Sequence, residues 1–295
     1  MQPLFRSVNP FGPSLAKSCA VFALRVNGMS EVPDALADEC ARIGATCRIV
    51  HASERDNPHG TDVLEIRASH SVLDAFAGMY LLSRIDTKIH ENVTQTQGDH
   101  IVSGFIDGYA FRVYVERIEV RHDERTVAQR VLGEILERAP DLQDGSVAIC
   151  TSRDATAAIE RNCYTGNSLV LVEMAADTAA RLSAGSRDTW THHLRTQADR
   201  VAALAIRKPS LLRSSALLLF SAMGDTRRIP WIDNLVHPLS FSMVSSPATA
   251  ASANIGCWSS GAFQALNLCG SPEHPVIRNS ERIAAGWRDA LRTVS

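Results

Sequence analysis

Apolar residues along this chain follow two rhythms, strand-length runs and stripes at helical spacing, and the two take turns. Residues 20–26 (AVFALRV) form a compact apolar run and predict a buried strand. The turn pair Asn27-Gly28 follows. Pro33, tolerated in a first helical turn, then precedes Ala35, Leu36, Cys40 and Ile43 at helical spacing, and Gly44 supplies the stop. A second strand is predicted over 47–52, a loop over 55–60 (RDNPHG), and a half-buried strand over 63–68, where VLEIRA alternates. A helix over 73–85 carries Phe76, Tyr80, Leu81 and Ile85 on one face.

After a polar break at 90–100 (HENVTQTQGDH) the pattern restarts. A strand is predicted over 111–120, then an amphipathic helix over 125–138 with Val127, Val131, Ile135 and Leu136 inward. Strands follow at 147–150 and 169–174, and a long helix over 189–206 carries Trp190, Leu194, Val201 and Leu204. A second helix is predicted over 210–222, ended by a turn at Gly224-Asp225, with strands at 239–244 and 261–269. The last element is a helix over 280–293, with Ser280 as N-cap and Ile283, Trp287, Ala290 and Leu291 inward. No fixed-period repeat appears. The expected organisation is a disordered or extended lead over 1–16, an N-terminal lobe over 17–90 and a C-terminal lobe over 91–295, both mixed α/β.

Composition narrows the classes. A chain of 295 residues is long enough for two lobes with a substantial core. Lys plus Arg is 30 and Asp plus Glu is 32, a net charge of −2, which argues against a dedicated nucleic-acid binder. An RNA-binding module over 109–151 is the less favoured alternative. Its Arg112, Arg117, Arg121 and Arg125 alternate with Glu116, Glu119, Asp123 and Glu124, the pattern of an ordinary solvated face. The seven cysteines are odd in number and contain no CxxC pair, which predicts reduced, mostly buried thiols in a cytoplasmic protein. No metal site is predicted. His192 and His193 are adjacent, and neighbours on a helix point about 100° apart rather than at one ion. His51, His59 and His90 are isolated. Gly104, Gly108, Gly166 and Gly256 form no phosphate loop, and there is no GxSxG elbow. No apolar run reaches 18 residues, so no spanning helix is predicted.

The chemistry concentrates in residues 63–82, VLEIRASHSVLDAFAGMYLL. A strand runs into His70, Asp74 follows four residues later, and a helix begins. Here the chain resembles the CoA-dependent acyltransferases built on the chloramphenicol acetyltransferase fold. These include wax-ester synthases and the condensation domains of peptide synthetases, enzymes largely of secondary metabolism, and their signature is HxxxD between a core strand and a helix. The resemblance extends to the strand–helix–strand over 20–50, to residues 146–167 (SVAICTSRDATAAIERNCYTGN), to the helix over 189–206 and to residues 239–246 (LSFSMVSS).

That resemblance implies a two-lobed fold with a channel between the lobes. It implies transfer of an acyl group from a CoA or carrier-protein thioester to a hydroxyl or amine. Histidine suits proton abstraction near neutral pH, and His70 takes the role of general base. Ser245, or else Ser242, would supply a hydroxyl to the oxyanion. Asp74 would hold the loop, with Arg153 as a partner, and Ser242, Asn167 and Tyr80 would contact substrate. No resident cofactor or metal is implied, because the thioester already carries the activated acyl group. The chain departs from the pattern at Ser69, in place of a doubled histidine, and at Ala75, in place of glycine. It has no DFGWG-type motif, and His70 comes early, which marks the first lobe as abbreviated. A non-catalytic binding or scaffold protein on the same fold is the main alternative. Oligomeric state is open at this level.

Overall fold

A computed structural model of the chain describes residues 5–7, 19–26, 29–51, 53–54, 62–70, 72–75, 77–78, 81, 100–118, 124–152, 164–166, 169–207, 216–225, 241–245 and 251–294. The first part holds β1 (Phe5–Ser7), β2 (Cys19–Arg25), α1 (Asp34–Arg42), β3 (Thr46–Val50) and β4 (Val63–Ser69). Next come β5 (His100–Ile106), β6 (Tyr109–Arg117), α2 (Glu124–Arg138), β7 (Ser146–Ser152), β8 (Tyr164–Gly166) and β9 (Leu169–Ala175). The chain continues through α3 (Ala176–Ala184), α4 (Arg187–Arg207), β10 (Ala216–Asp225) and β11 (Phe241–Ser245). It closes with β12 (Ala251–Ser260), β13 (Phe263–Gly270), α5 (Pro275–Arg278) and α6 (Ser280–Thr293).

These strands build two main sheets. The smaller has the order β11-β2-β4-β3 and is antiparallel throughout. Its edge strand β11 comes from late in the chain and lies beside β2, with Phe241 opposite Leu24 and Ser245 opposite Ala20. The larger has the order β5-β6-β13-β12-β10-β7-β9, with parallel pairs only at β12–β10 and β10–β7. Within the segment expected to be a lead, β1 pairs in parallel with β8.

Two cores follow from this layering. On one face of the large sheet, Leu218, Phe220, Ile255 and Leu266 pack against α2, α3 and α6, where Val131, Ile135, Leu136, Ile283, Trp287 and Leu291 are buried. On the other face, Phe111, Val113, Val115 and Ala265 meet the small sheet through Phe22, Leu24, Leu64 and Ile66. A third cluster joins Cys150, Val170, Val172 and Leu219 to Ala198, Leu194 and Val201 of α4. Arg67 of β4 and Asp107, in the tight β5–β6 turn, tie the two sheets at the surface at 3.1 Å. Asp107 and Gly108 both have positive φ there (49° and 82°), the backbone of a two-residue hairpin turn. Cys40 and Cys150 are buried as expected.

Three expectations are corrected. The helix predicted over 210–222 is, where described, strand β10, and Gly224-Asp225 lies within that strand rather than after it. β10 sits between β12 and β7 with both faces covered, so its run ALLLF lacks the alternation of a half-buried strand. Gly224, at φ 76°, falls where the β10–β12 register shifts between Ala222 and Asp225, as in a bulge. Ser280 is the first residue of α6 and is buried, while Asn279 occupies the N-cap position. Beyond these three, β12 is a ten-residue strand that the sequence did not predict, formed from a Ser- and Ala-rich stretch with weak strand propensity. Its central place between β10 and β13 overrides that propensity. Strand β5 and helix α3 also carried no clear signal in the sequence.

Candidate active site

The site begins where β4 stops. A turn closes on Ser69, whose carbonyl accepts the N–H groups of Val72 (2.9 Å) and Leu73 (3.3 Å). The same turn holds the His70 ring: Nδ1 lies 2.8 Å from the Leu73 carbonyl oxygen. A carbonyl only accepts, so Nδ1 carries the proton and donates it. In the neutral ring the lone pair is therefore on Nε2. Burial of the ring, 9% exposed, holds the histidine below its ordinary pKa, against the opposing pull of the Leu73 hydrogen bond and of the Asp74 carboxylate. Neutral imidazole is thus the form present near pH 7.

Asp74 starts the next helical segment. Its Oδ1 accepts the N–H of Ala77 at 2.9 Å and its carbonyl accepts the N–H of Gly78 at 3.0 Å, the geometry of an N-cap. Ala75, Ala77, Gly78 and Leu81 are helical, in accord with the helix predicted there. Only 1% of Asp74 is exposed, so its negative end sits at the helix start, where the partial positive charge favours it. Gly78 lets this helix approach β2: a Cβ there would meet the Phe22 ring at 2.3 Å.

His70, Asp74 and Ala75 line a cavity of about 90 Å³ between the two sheets. The small sheet contributes Ala20, Phe22 and Val244. The large sheet contributes a floor that crosses four strands in register. Cys150 on β7 is opposite Ser221 on β10, Ser221 is opposite Gly256 on β12, and Gly256 is opposite Asn267 on β13. The adjacent row carries Leu219, Asn254 and Cys269. Burial pushes the Cys150 thiol up to about 12, partly offset by a hydrogen bond from the Ser221 hydroxyl, so it stays protonated. Cys269 is likewise pushed up to about 12 by burial.

His70 and Asp74 are therefore brought together at one cavity. For Ser245 and Ser242 the structure describes only the backbone, in β11 opposite Ala20 and Ala23, and their side chains lie outside the described residues. Asn167, Tyr80 and Arg153 also lie outside the described residues. Sequence reasoning missed Ser221, Gly256, Asn254 and Asn267. A helix was expected at the first; in strand β10 every second residue from Leu219 faces one way, so Leu219, Ser221 and Met223 all line the cavity, an order the apolar run itself does not display. Of the arginines in the stretch considered for RNA, Arg112 pairs with Glu281 at 3.6 Å and Arg117 lies over the Phe263 ring at 5.9 Å. Among the described residues no group of three or more metal-ligating side chains is present, and no helix is long and apolar enough to cross a membrane.

No protein-family model and no curated protein matches the chain. Among solved structures it is similar to a double mutant of the starter condensation domain of rhizomide synthetase RzmA in complex with C8-CoA and Leu-SNAC. Identity is 9% and the TM-score 0.50, over 95% of this chain and 89% of that one. It is also similar to the epimerization domain from the third module of tyrocidine synthetase B, at 8% identity and a TM-score of 0.49, over 98% of this chain and 95% of that one. At such identities the likeness is one of fold: the chain has the two-lobed, chloramphenicol acetyltransferase-like architecture of condensation domains.

Proposed function

We propose that the protein is an acyltransferase that moves an acyl group from a CoA or carrier-protein thioester to a hydroxyl or amine, with His70 as general base. The observation that carries this is the fixed tautomer of His70 at the cavity wall: Nδ1–H is held by the Leu73 carbonyl, so Nε2 is the basic nitrogen. In the reaction Nε2 takes the proton of the acceptor O–H or N–H as that atom attacks the thioester carbonyl. The tetrahedral intermediate then collapses, the C–S bond breaks, and the thiolate recovers the proton from Nε2. General-base assistance of this kind contributes roughly 10²–10⁴-fold. Ser245, with Ser242 as the second choice, is the proposed donor to the oxyanion, and Asn167 and Tyr80 are proposed substrate contacts. Asp74 acts through structure, by capping the helix that follows His70. The chemistry requires no metal or resident cofactor, because the thioester supplies the activated acyl group.

A second reading, a binding protein without catalysis on the same fold, draws on the burial of His70, which is 9% exposed. One experiment separates the two. Thiol release from an acyl-CoA is followed with alcohol and amine acceptors for the wild type and for His70→Ala. Acceptor-dependent release that falls by about 10² or more in the variant supports transfer with His70 as the base. Release that survives the substitution overturns the role of His70, and a folded wild type that releases no thiol with any donor favours the binding protein.

A further inference from the structure

The cavity floor has a chemistry that the base alone does not explain. Cys150, Ser221, Gly256 and Asn267 stand side by side across four strands, and Asn254 occupies the next row on β12. Thiol, hydroxyl and amide therefore sit below walls formed by Phe22, Ala20 and Val244. Among the described residues the lining holds no lysine, arginine or glutamate, and the carboxylate among them, Asp74, gives Oδ1 to the Ala77 N–H and is 1% exposed.

Gly256 is the position that leaves this floor open. A Cβ there would meet Asn267 Cβ at 3.7 Å and Nδ2 at 3.9 Å, ordinary van der Waals contact. Packing therefore does not exclude a side chain at 256, in contrast to Gly78, where the Phe22 ring is at 2.3 Å. Any side chain larger than a methyl group at 256 would fill cavity space instead.

We propose that this floor selects a compact, electrically neutral group bearing an amide or hydroxyl, with Gly256 setting its depth and Asn267 hydrogen-bonding to it. The proposal rests on the cavity being the substrate site of the transfer above. An asparagine side chain both donates and accepts, so it meets either half of an amide or a hydroxyl. A carboxylate entering the same space sheds its hydration with no cationic side chain among the described lining residues to replace it, and an ammonium meets only Asp74, whose Oδ1 is already committed to the Ala77 N–H. Selection by neutrality also suits the chemistry, since an amine attacks only when unprotonated.

The test is a titration of the full chain at pH 7 with n-butanol, butyramide, butylammonium and butyrate, read by ligand-observed NMR. Butanol and butyramide bind, and the two ions bind more weakly by about tenfold or more, the ratio that a single lost polar compensation gives. Gly256→Val removes binding of both neutral probes, and Gly256→Ala weakens it severalfold at an unchanged melting temperature. Asn267→Leu weakens butyramide severalfold more than it weakens butanol. Equal binding of butylammonium or butyrate overturns the proposal, as does the absence of binding by all four probes. Unchanged binding in a folded Gly256→Val protein also overturns it; if that variant does not fold, Gly256→Ala decides. Neutral-only binding by a protein that transfers no acyl group sinks the transferase and leaves the floor's selectivity standing. Acyl transfer alongside equal binding of ions does the reverse.

Discussion

His70 and Leu73 share a hydrogen bond that decides which ring nitrogen keeps its lone pair: Nδ1–H donates to the Leu73 carbonyl at 2.8 Å, which leaves Nε2 as the acceptor. The ring is buried and its pKa lies below the ordinary 6.5, so the neutral base is already populated at that pH. The acid limb of kcat/KM should therefore have its midpoint below 6.5, with a plateau above it. A rate profile from pH 4.5 to 8.5 checks this, and a limb centred above 6.5 contradicts the assignment.

Asp74 should matter for stability more through its oxygen than through its charge. Asp74→Ala removes the acceptor of the Ala77 N–H, a helix cap whose loss costs about 0.5–2 kcal/mol. Asp74→Asn keeps an acceptor in the same place and should retain most of that stability. Urea unfolding of the two variants gives the comparison, and equal losses would show that the charge itself carries the effect.

Gly78→Ala should destabilise although alanine is the better helix former. The helical preference gains about 0.8–1 kcal/mol. The new Cβ would meet the Phe22 ring at 2.3 Å, and overpacking a core position costs about 1–3 kcal/mol. The clash with the ring outweighs the helical gain, and displacement of Phe22, a wall residue, should also alter probe binding in the cavity. A raised melting temperature would show that the helix and β2 separate without cost.

Stability should be bounded on both sides of neutral pH. His70 and His274 are both held below their ordinary 6.5, His274 by burial and while its Nδ1 accepts the Val276 N–H at 3.2 Å. The unfolded chain then binds more protons below 6.5, so their contribution is complete above that value and is lost as pH falls. The thiols of Cys150, Cys257 and Cys269 are raised by burial from 9.0 to about 12. Their contribution is complete below 9.0 and is lost as pH rises above it, because only the unfolded chain ionises there. Urea midpoints between pH 5 and 10 should show a plateau between these limits, and a midpoint still rising beyond pH 9 contradicts the thiol assignment.

Local order sufficed for part of this protein. The strand ending at His70, the helix stop at Gly44 and the inward faces of α2 and α6 were all legible, because each depends on residues within a few positions of one another. The mixed α/β class followed from the same alternation of elements, and the two-lobed form from the family resemblance around His70 and Asp74. Tertiary structure alone decided the rest. β10 is a strand because β7 and β12 flank it, and β12 is a strand although its composition disfavours one. The floor of the cavity came from sheet register: Cys150, Ser221 and the β12–β13 hairpin that carries Gly256 and Asn267 are far apart in the chain and become neighbours only when their strands pair. A strand buried on both faces loses the period that marks it in sequence, and no local pattern records which distant strand will lie beside it.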